Sequence, residues 1–144
     1  MAIQQGQCTV FKKNCLSALE NFAVGTPYTY KIALYTSFAT IGTNTLTYNE
    51  TTNELPTGSG YTAGGKTLTV IPPASDNQTQ TAYLSFANVT WTPASFTAAG
   101  ALIYNATTGA AVAVLSFGSD KTATSIFTIT FPANNATNAI IRFN

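Results

Sequence analysis

From Tyr28 onward the chain alternates apolar and polar side chains in short runs, each cut by Gly, Pro, Asn or Asp. A period of two sends successive side chains to opposite faces of a strand. Breakers this frequent leave little room for helices, so this part of the chain is expected to fold as short strands joined by turns. Tyr28, Tyr30, Ile32 and Leu34 alternate with Thr29, Lys31, Ala33 and Tyr35, which predicts a half-buried strand. A Thr/Asn/Gly stretch covers 36–66, with a short strand expected at Leu46-Thr47-Tyr48. Further strands are predicted at Lys66–Ile71, ended by Pro72-Pro73, and at Tyr83–Trp91 with a bulge near Ala87-Asn88. The remaining strands are placed at Phe96–Tyr104, Ala111–Phe117, Ile126–Phe131 and Ala139–Phe143. Asn105-Ala106-Thr107-Thr108-Gly109 reads as a hairpin loop and Gly118-Ser119-Asp120-Lys121 as a turn.

The beginning of the chain has a different rhythm. Residues 1–8 read as a polar arm. Phe11, Cys15, Leu19 and Phe22 then recur at helical spacing, with Thr9 able to cap the start and Gly25 and Pro27 able to stop the helix. The expected organisation is an arm and amphipathic helix over 1–25, followed by a single globular domain over 26–144. The fold class is all-β, an antiparallel β-sandwich of jelly-roll or Greek-key type with seven or eight strands and one N-terminal helix. The stripe Phe11, Cys15, Leu19 and Phe22 has two readings, a helix laid across one end of the sheet or a docking face for a partner subunit. It is the candidate partner interface.

Composition narrows the function. In 144 residues only 8% are charged, six Lys+Arg against five Asp+Glu, giving a net charge of +1, and there is no His. An ordinary soluble protein carries about 25% charged residues. The place of the missing charges is taken by 26 Thr together with Asn, Ser and Gln. Six scattered cations make no basic face, so nucleic acid is not an expected partner. No run approaches the ~18 apolar residues of a membrane helix, so a membrane is not expected either. Met1–Gly6 lacks a basic segment followed by an apolar core, and the chain is read as lacking a secretory signal. Cys8 and Cys15 on one helix would sit about 10.5 Å apart, beyond the reach of a disulfide, and are expected as free thiols.

Gly60-Tyr61-Thr62-Ala63-Gly64-Gly65-Lys66-Thr67 matches the string of a phosphate-binding loop. That chemistry needs a buried strand before the loop and a helix after it. Here Leu68-Thr69-Val70-Ile71-Pro72-Pro73 follows, β-branched and proline-stopped, so a glycine-rich turn is expected instead. Without His the common general base and the usual nucleophile pairs are missing. Two Cys and no His do not make a tetrahedral zinc site. Glu50 and Glu54 are the one carboxylate pair a glycosidase could use, but a Thr/Asn-rich loop predicts solvated acids. Asp76-Asn77 is a weak calcium signal. Catalytic, cofactor-binding and metal-ligating residues are therefore none, and no cofactor is expected. Five Asn-x-Thr sequons, at Asn49, Asn77, Asn88, Asn105 and Asn135, are near the number expected by chance. Tyr28, Tyr30, Tyr35, Tyr61, Tyr83, Trp91 and Tyr104 could build a sugar-stacking platform, although core packing is the commoner use of such residues.

The strings Lys31-Ile32-Ala33-Leu34-Tyr35-Thr36-Ser37, Asn53-Glu54, Gly58–Gly65, Val89-Thr90-Trp91, Gly100–Asn105 and Phe117–Lys121 carry a resemblance. Over roughly 28–143 the chain resembles a family of small virion structural proteins of tailed bacteriophages. The resemblance implies a non-enzymatic virion component, assembled in the host cytoplasm and bound to the major capsid protein or other virion subunits. The first expectation is a capsid decoration (cement) protein that stabilises the head, itself a homo-oligomer with a trimer favoured. A tail, neck or fibre-associated subunit is the alternative, and a carbohydrate-binding module the third.

Overall fold

The computed structural model describes residues 2–144. Its longest elements are Phe96–Asn105 and Ala111–Ala123, which pair antiparallel around the Asn105–Gly109 turn. In chain order the strands are β1 (Gly6–Gln7), β2 (Tyr30–Tyr35), β3 (Lys66–Thr67), β4 (Val70–Asp76), β5 (Thr81–Phe86), β6 (Val89–Trp91), β7 (Phe96–Asn105), β8 (Ala111–Ala123), β9 (Phe127–Ile129) and β10 (Ile141–Phe143); α1 is Thr9–Leu16. One sheet has the order β1-β8-β7-β2-β3, a second β10-β5-β4, and β6 pairs with β9. Every pairing is antiparallel, and the fold is all-β and sandwich-like.

The five-stranded sheet is covered on both faces. Tyr30, Ile32 and Leu34 share one face with their cross-strand partners Asn105, Ile103 and Ala101. Against that face Phe22 stacks on Tyr30 at 4.3 Å and meets Phe86 at 6.4 Å. Further along, Trp91, Phe96 and Phe127 form a second aromatic cluster with Tyr61, with centroids 5.2–6.4 Å apart. The opposite face, with Tyr35, Leu102 and Tyr104, lies beneath segment 36–65: Tyr48 stacks on Tyr104 at 4.4 Å, and the Tyr35 hydroxyl bonds Thr51. The half-buried strand expected at 28–35 is corrected accordingly. Ile32, Ala33, Leu34 and Tyr35 are all fully shielded, because an irregular segment roofs the face that alternation assigns to water. Threonine still lines the open surfaces, with cross-strand hydroxyl pairs at Thr90–Thr128 (3.0 Å) and Thr97–Thr122 (2.8 Å).

Four further expectations change. The helix expected to reach Phe22 ends at Leu16. Pro72-Pro73 does not end a strand; β4 passes through both at a register shift between Ile71 and Ala74. It can do so because β4 is a sheet edge, where a missing N–H costs no ladder bond. Leu46–Tyr48 is no strand but a single bridge, Thr47 to Ala110, leading into a one-turn helix at Tyr48–Glu50. Gly118–Lys121 is no chain reversal: between the pairs Gly100–Ser116 and Ala98–Lys121, residues 117–120 bulge out of β8, which then continues. The arm is woven into the sandwich through β1 on β8 and through Ile3, whose side chain fills the space a side chain at Gly100 would need.

Candidate functional site

α1 buries Phe11 and Asn14 and turns Thr9, Lys12, Lys13 and Leu16 outward, the i, i+3, i+4, i+7 stripe of one helical face. It ends in a C-terminal turn in which Leu19 N–H donates to Asn14 O (2.8 Å) and Ala18 N–H to Cys15 O (3.3 Å). This geometry needs a left-handed residue, normally glycine, and here Ala18 supplies it at φ 58°. The chain then crosses the sheet end and drops Phe22 into the core, edge-on to Phe11 at 6.0 Å.

The four candidate interface residues therefore part company. Phe11 and Phe22 lie inside this chain's own core, Cys15 is half-buried, and Leu19 is 50% exposed. The apolar side chains that do face outward on this segment are Leu16, 91% exposed, and Val24, 85% exposed, beside Leu19. Sequence reasoning missed both. Leu16 lies five positions after Phe11, about 140° around the helix, so its place opposite the core face was the signal available. Away from this segment, Phe38 is also exposed (80%), and an open groove of about 590 Å³ lies among Leu115, Phe117, Ile126, Phe127, Ile129 and Phe131.

Two carboxylates tie irregular segments to the two faces of the main sheet. Glu54 Oε1 accepts the Tyr61 hydroxyl (2.7 Å) and the Gly64 N–H (2.6 Å), and its Oε2 accepts the Tyr48 hydroxyl (2.5 Å). Tyr61 in turn accepts the Leu34 N–H (2.9 Å), and the Tyr104 hydroxyl donates to Gly64 O (2.6 Å). Burial lifts these phenols above their usual range, Tyr104 to about 12, so they serve as neutral donors. The solvated acid expected at 54 is thus a hydrogen-bonded hub. Its partners on either side, Tyr48 and Tyr61, lie six and seven residues away, a spacing that periodicity does not connect. Glu50 has a partner of its own, accepting the Leu46 N–H (2.7 Å).

Glu20 is the second tie. Its Oε1 accepts the Tyr30 hydroxyl (2.9 Å) and the Asn105 side-chain amide (3.0 Å), while Oε2 is buried without a partner. Burial raises its carboxyl above the ordinary value, against the hydrogen bonds donated to it. Both cysteines are free thiols, each pushed up to about 11 by burial, and for Cys15 also by the charge of Glu20.

Among the described residues no three of His, Cys, Asp and Glu gather as a metal site, and no helix is long and apolar enough to cross a membrane. Asp76 instead closes its own turn onto the N–H groups of Gln78 (2.9 Å) and Thr79. The string at 60–67 leads into β3, with Tyr61 buried and no helix after it. Gly60 (φ 95°) and Gly65 (φ 80°) run so close to Pro93 and Ile32 that a Cβ on either would overlap a carbonyl. Lys66 Nζ donates to Thr90 O (2.6 Å) and lies over the Trp91 ring. Of the aromatics considered for a sugar platform, Tyr30, Tyr35, Tyr61, Trp91 and Tyr104 are buried; Tyr28 and Tyr83 are half-buried. Asn105, one of the sequons, is fully buried as well. Comparison of the chain with protein-family models, with curated proteins and with solved structures finds no match.

Proposed function

We propose that this protein is a non-enzymatic structural subunit of a tailed-phage virion, a decoration protein that docks on the major capsid protein through segment 16–24. The observation that carries the reading is the exposure of Leu16, Leu19 and Val24 within nine residues, beside Lys12 and Lys13, in a chain that is otherwise sparsely charged. A Leu or Val side chain held in water forgoes roughly 1.5–3 kcal/mol that burial against a partner would return. A sparsely charged surface of hydroxyls and amides adds little electrostatic repulsion between neighbours. Repetition over a shell then multiplies contacts that are individually weak. The resemblance of residues 28–143 to small virion proteins supplies the setting, and Glu20 ties the segment to the main sheet through Tyr30 and Asn105.

The test is occupancy on purified particles. Leu16→Ser with Val24→Ser should keep the circular dichroism of the parent and lose most of its binding to particles stripped of the protein. Undiminished binding by the folded variant would overturn the docking role of the segment. Hundreds of copies per particle fit a capsid site; a small multiple of three or six at one vertex would move the protein to the tail or neck.

A further inference from the structure

We propose that segment 17–25 is an acid-tightened latch: a proton on Glu20 locks it onto the sheet, and loss of that proton loosens it. The Glu20 side chain reaches from the segment onto two strands at once, to Tyr30 on β2 and Asn105 on β7. Asn105 is fully buried and orients its other amide atom onto the Thr107 and Thr108 N–H groups (3.0 and 3.2 Å). Tyr30 is fully buried on β2, and its hydroxyl also accepts the segment's own Asn21 N–H at 3.1 Å. The donors are therefore fixed by the sheet, and the segment is fixed by the carboxyl.

As an anion that carboxyl is only half served. Oε1 takes the Tyr30 and Asn105 donors, Oε2 is enclosed without a hydrogen bond, and the Asn14 side chain lies near enough to favour the charge without reaching bonding geometry. A buried charge without full hydrogen bonding is costly, whereas the neutral acid keeps both bonds on its carbonyl oxygen and carries the proton on the other. The groups facing it are Cys15 and Asn14 from α1, Tyr30 from β2 and Asn105 from β7. None is a cation. Cys15 and Tyr30 titrate far above neutrality, so Glu20 is the group in this cluster that changes state in weak acid.

The sign follows from linkage. Burial sets the closed-state value above the ordinary 4.5. Below 4.5 both closed and open states are protonated and the latch is at full strength. As pH rises from 4.5 toward the raised value the open state ionises first, so opening becomes easier; above that value the effect is constant. The latch itself does not depend on the docking role above. Control of docking by pH does rest on it, since Leu19 and Val24 ride on the segment.

Hydrogen exchange on the full chain tests the latch without any partner. The Leu19, Asn21 and Ala23 amides, all hydrogen-bonded, report the segment, and β7 amides serve as reference after correction for intrinsic rates. Their relative protection should fall as pH rises, by up to about tenfold per pH unit within the window, and Glu20→Gln should abolish the trend. Protection that is flat or rises with pH in the parent chain, or a trend that survives Glu20→Gln, would overturn the proposal. Titration of the Glu20 side-chain carbon by NMR gives an answer even if the variant does not fold. A midpoint above 4.5 is expected; one at or below it refutes the latch.

Discussion

Glu54 and Glu20 do the same job on opposite faces of one sheet, and they do it with unequal completeness. Each sits on an irregular segment and reaches tyrosine hydroxyls, of the buried Tyr30 for Glu20 and of the buried Tyr61 and half-buried Tyr48 for Glu54. Glu54 has donors on both oxygens, from two phenols and a backbone N–H, and these bonds knit segment 36–65 into a roof. Glu20 has donors on one oxygen only. Low local dielectric strengthens a satisfied network and penalises an unsatisfied atom. The same residue type is thus bonded through both oxygens at 54 and through one at 20. What separates them is the number of donors aimed at the charge.

The contrast can be broken experimentally. The largest effect is expected at Glu54→Ala, which strips the acceptor from Tyr48, Tyr61 and Gly64 together and should cost about 3 kcal/mol or more in urea unfolding. A loss below about 1 kcal/mol would erase the distinction between the two knots. Glu20→Gln should change stability at neutral pH by less than about 1 kcal/mol, because the charge it removes was poorly served. A loss there as large as that of Glu54→Ala would make Glu20 a staple too. The smallest effect is local to the turn that sets Glu20 in place: Ala18→Gly relieves a left-handed alanine and should stabilise by about 0.5 kcal/mol in thermal unfolding. Destabilisation by this change would mean that the turn is not under backbone strain.

Much of the β architecture was legible, because alternation and turn residues are local signals. The strands at 30–35, 96–105 and 141–143 fall within or overlap the expected runs and β8 runs past its own, to Ala123, but the single bulged strand expected over 83–91 is two strands, β5 and β6, in different sheets. What escaped was decided at a distance. The helix stops at Leu16 with alanine in the position where glycine is the readable sign, and Phe22 continued the helical spacing by coincidence, reaching the core from a loop. The double burial of β2 depends on a roof whose own sequence, rich in Thr and Asn, looks like solvated loop. The stripe Phe11, Cys15, Leu19 and Phe22, expected on one helical face, is split by the end of the helix at Leu16. Apolar periodicity marks the side that seeks cover, and Phe11 and Phe22 find it within the chain. Leu16 and Val24 fall outside the pattern and face outward, and Leu19, which belongs to it, is half exposed.

The two crowded glycines at 60 and 65 bear on how this molecule would answer a saturation-mutagenesis screen. Any replacement there must push apart main chains already in contact, and both positions hold positive φ, so they should rank among the least replaceable in the chain. A screen read without coordinates would return the skeleton of a nucleotide-binding consensus, enforced by selection yet empty of ligand chemistry. In a fold of this kind, intolerance at glycine gauges how closely two backbones run past each other.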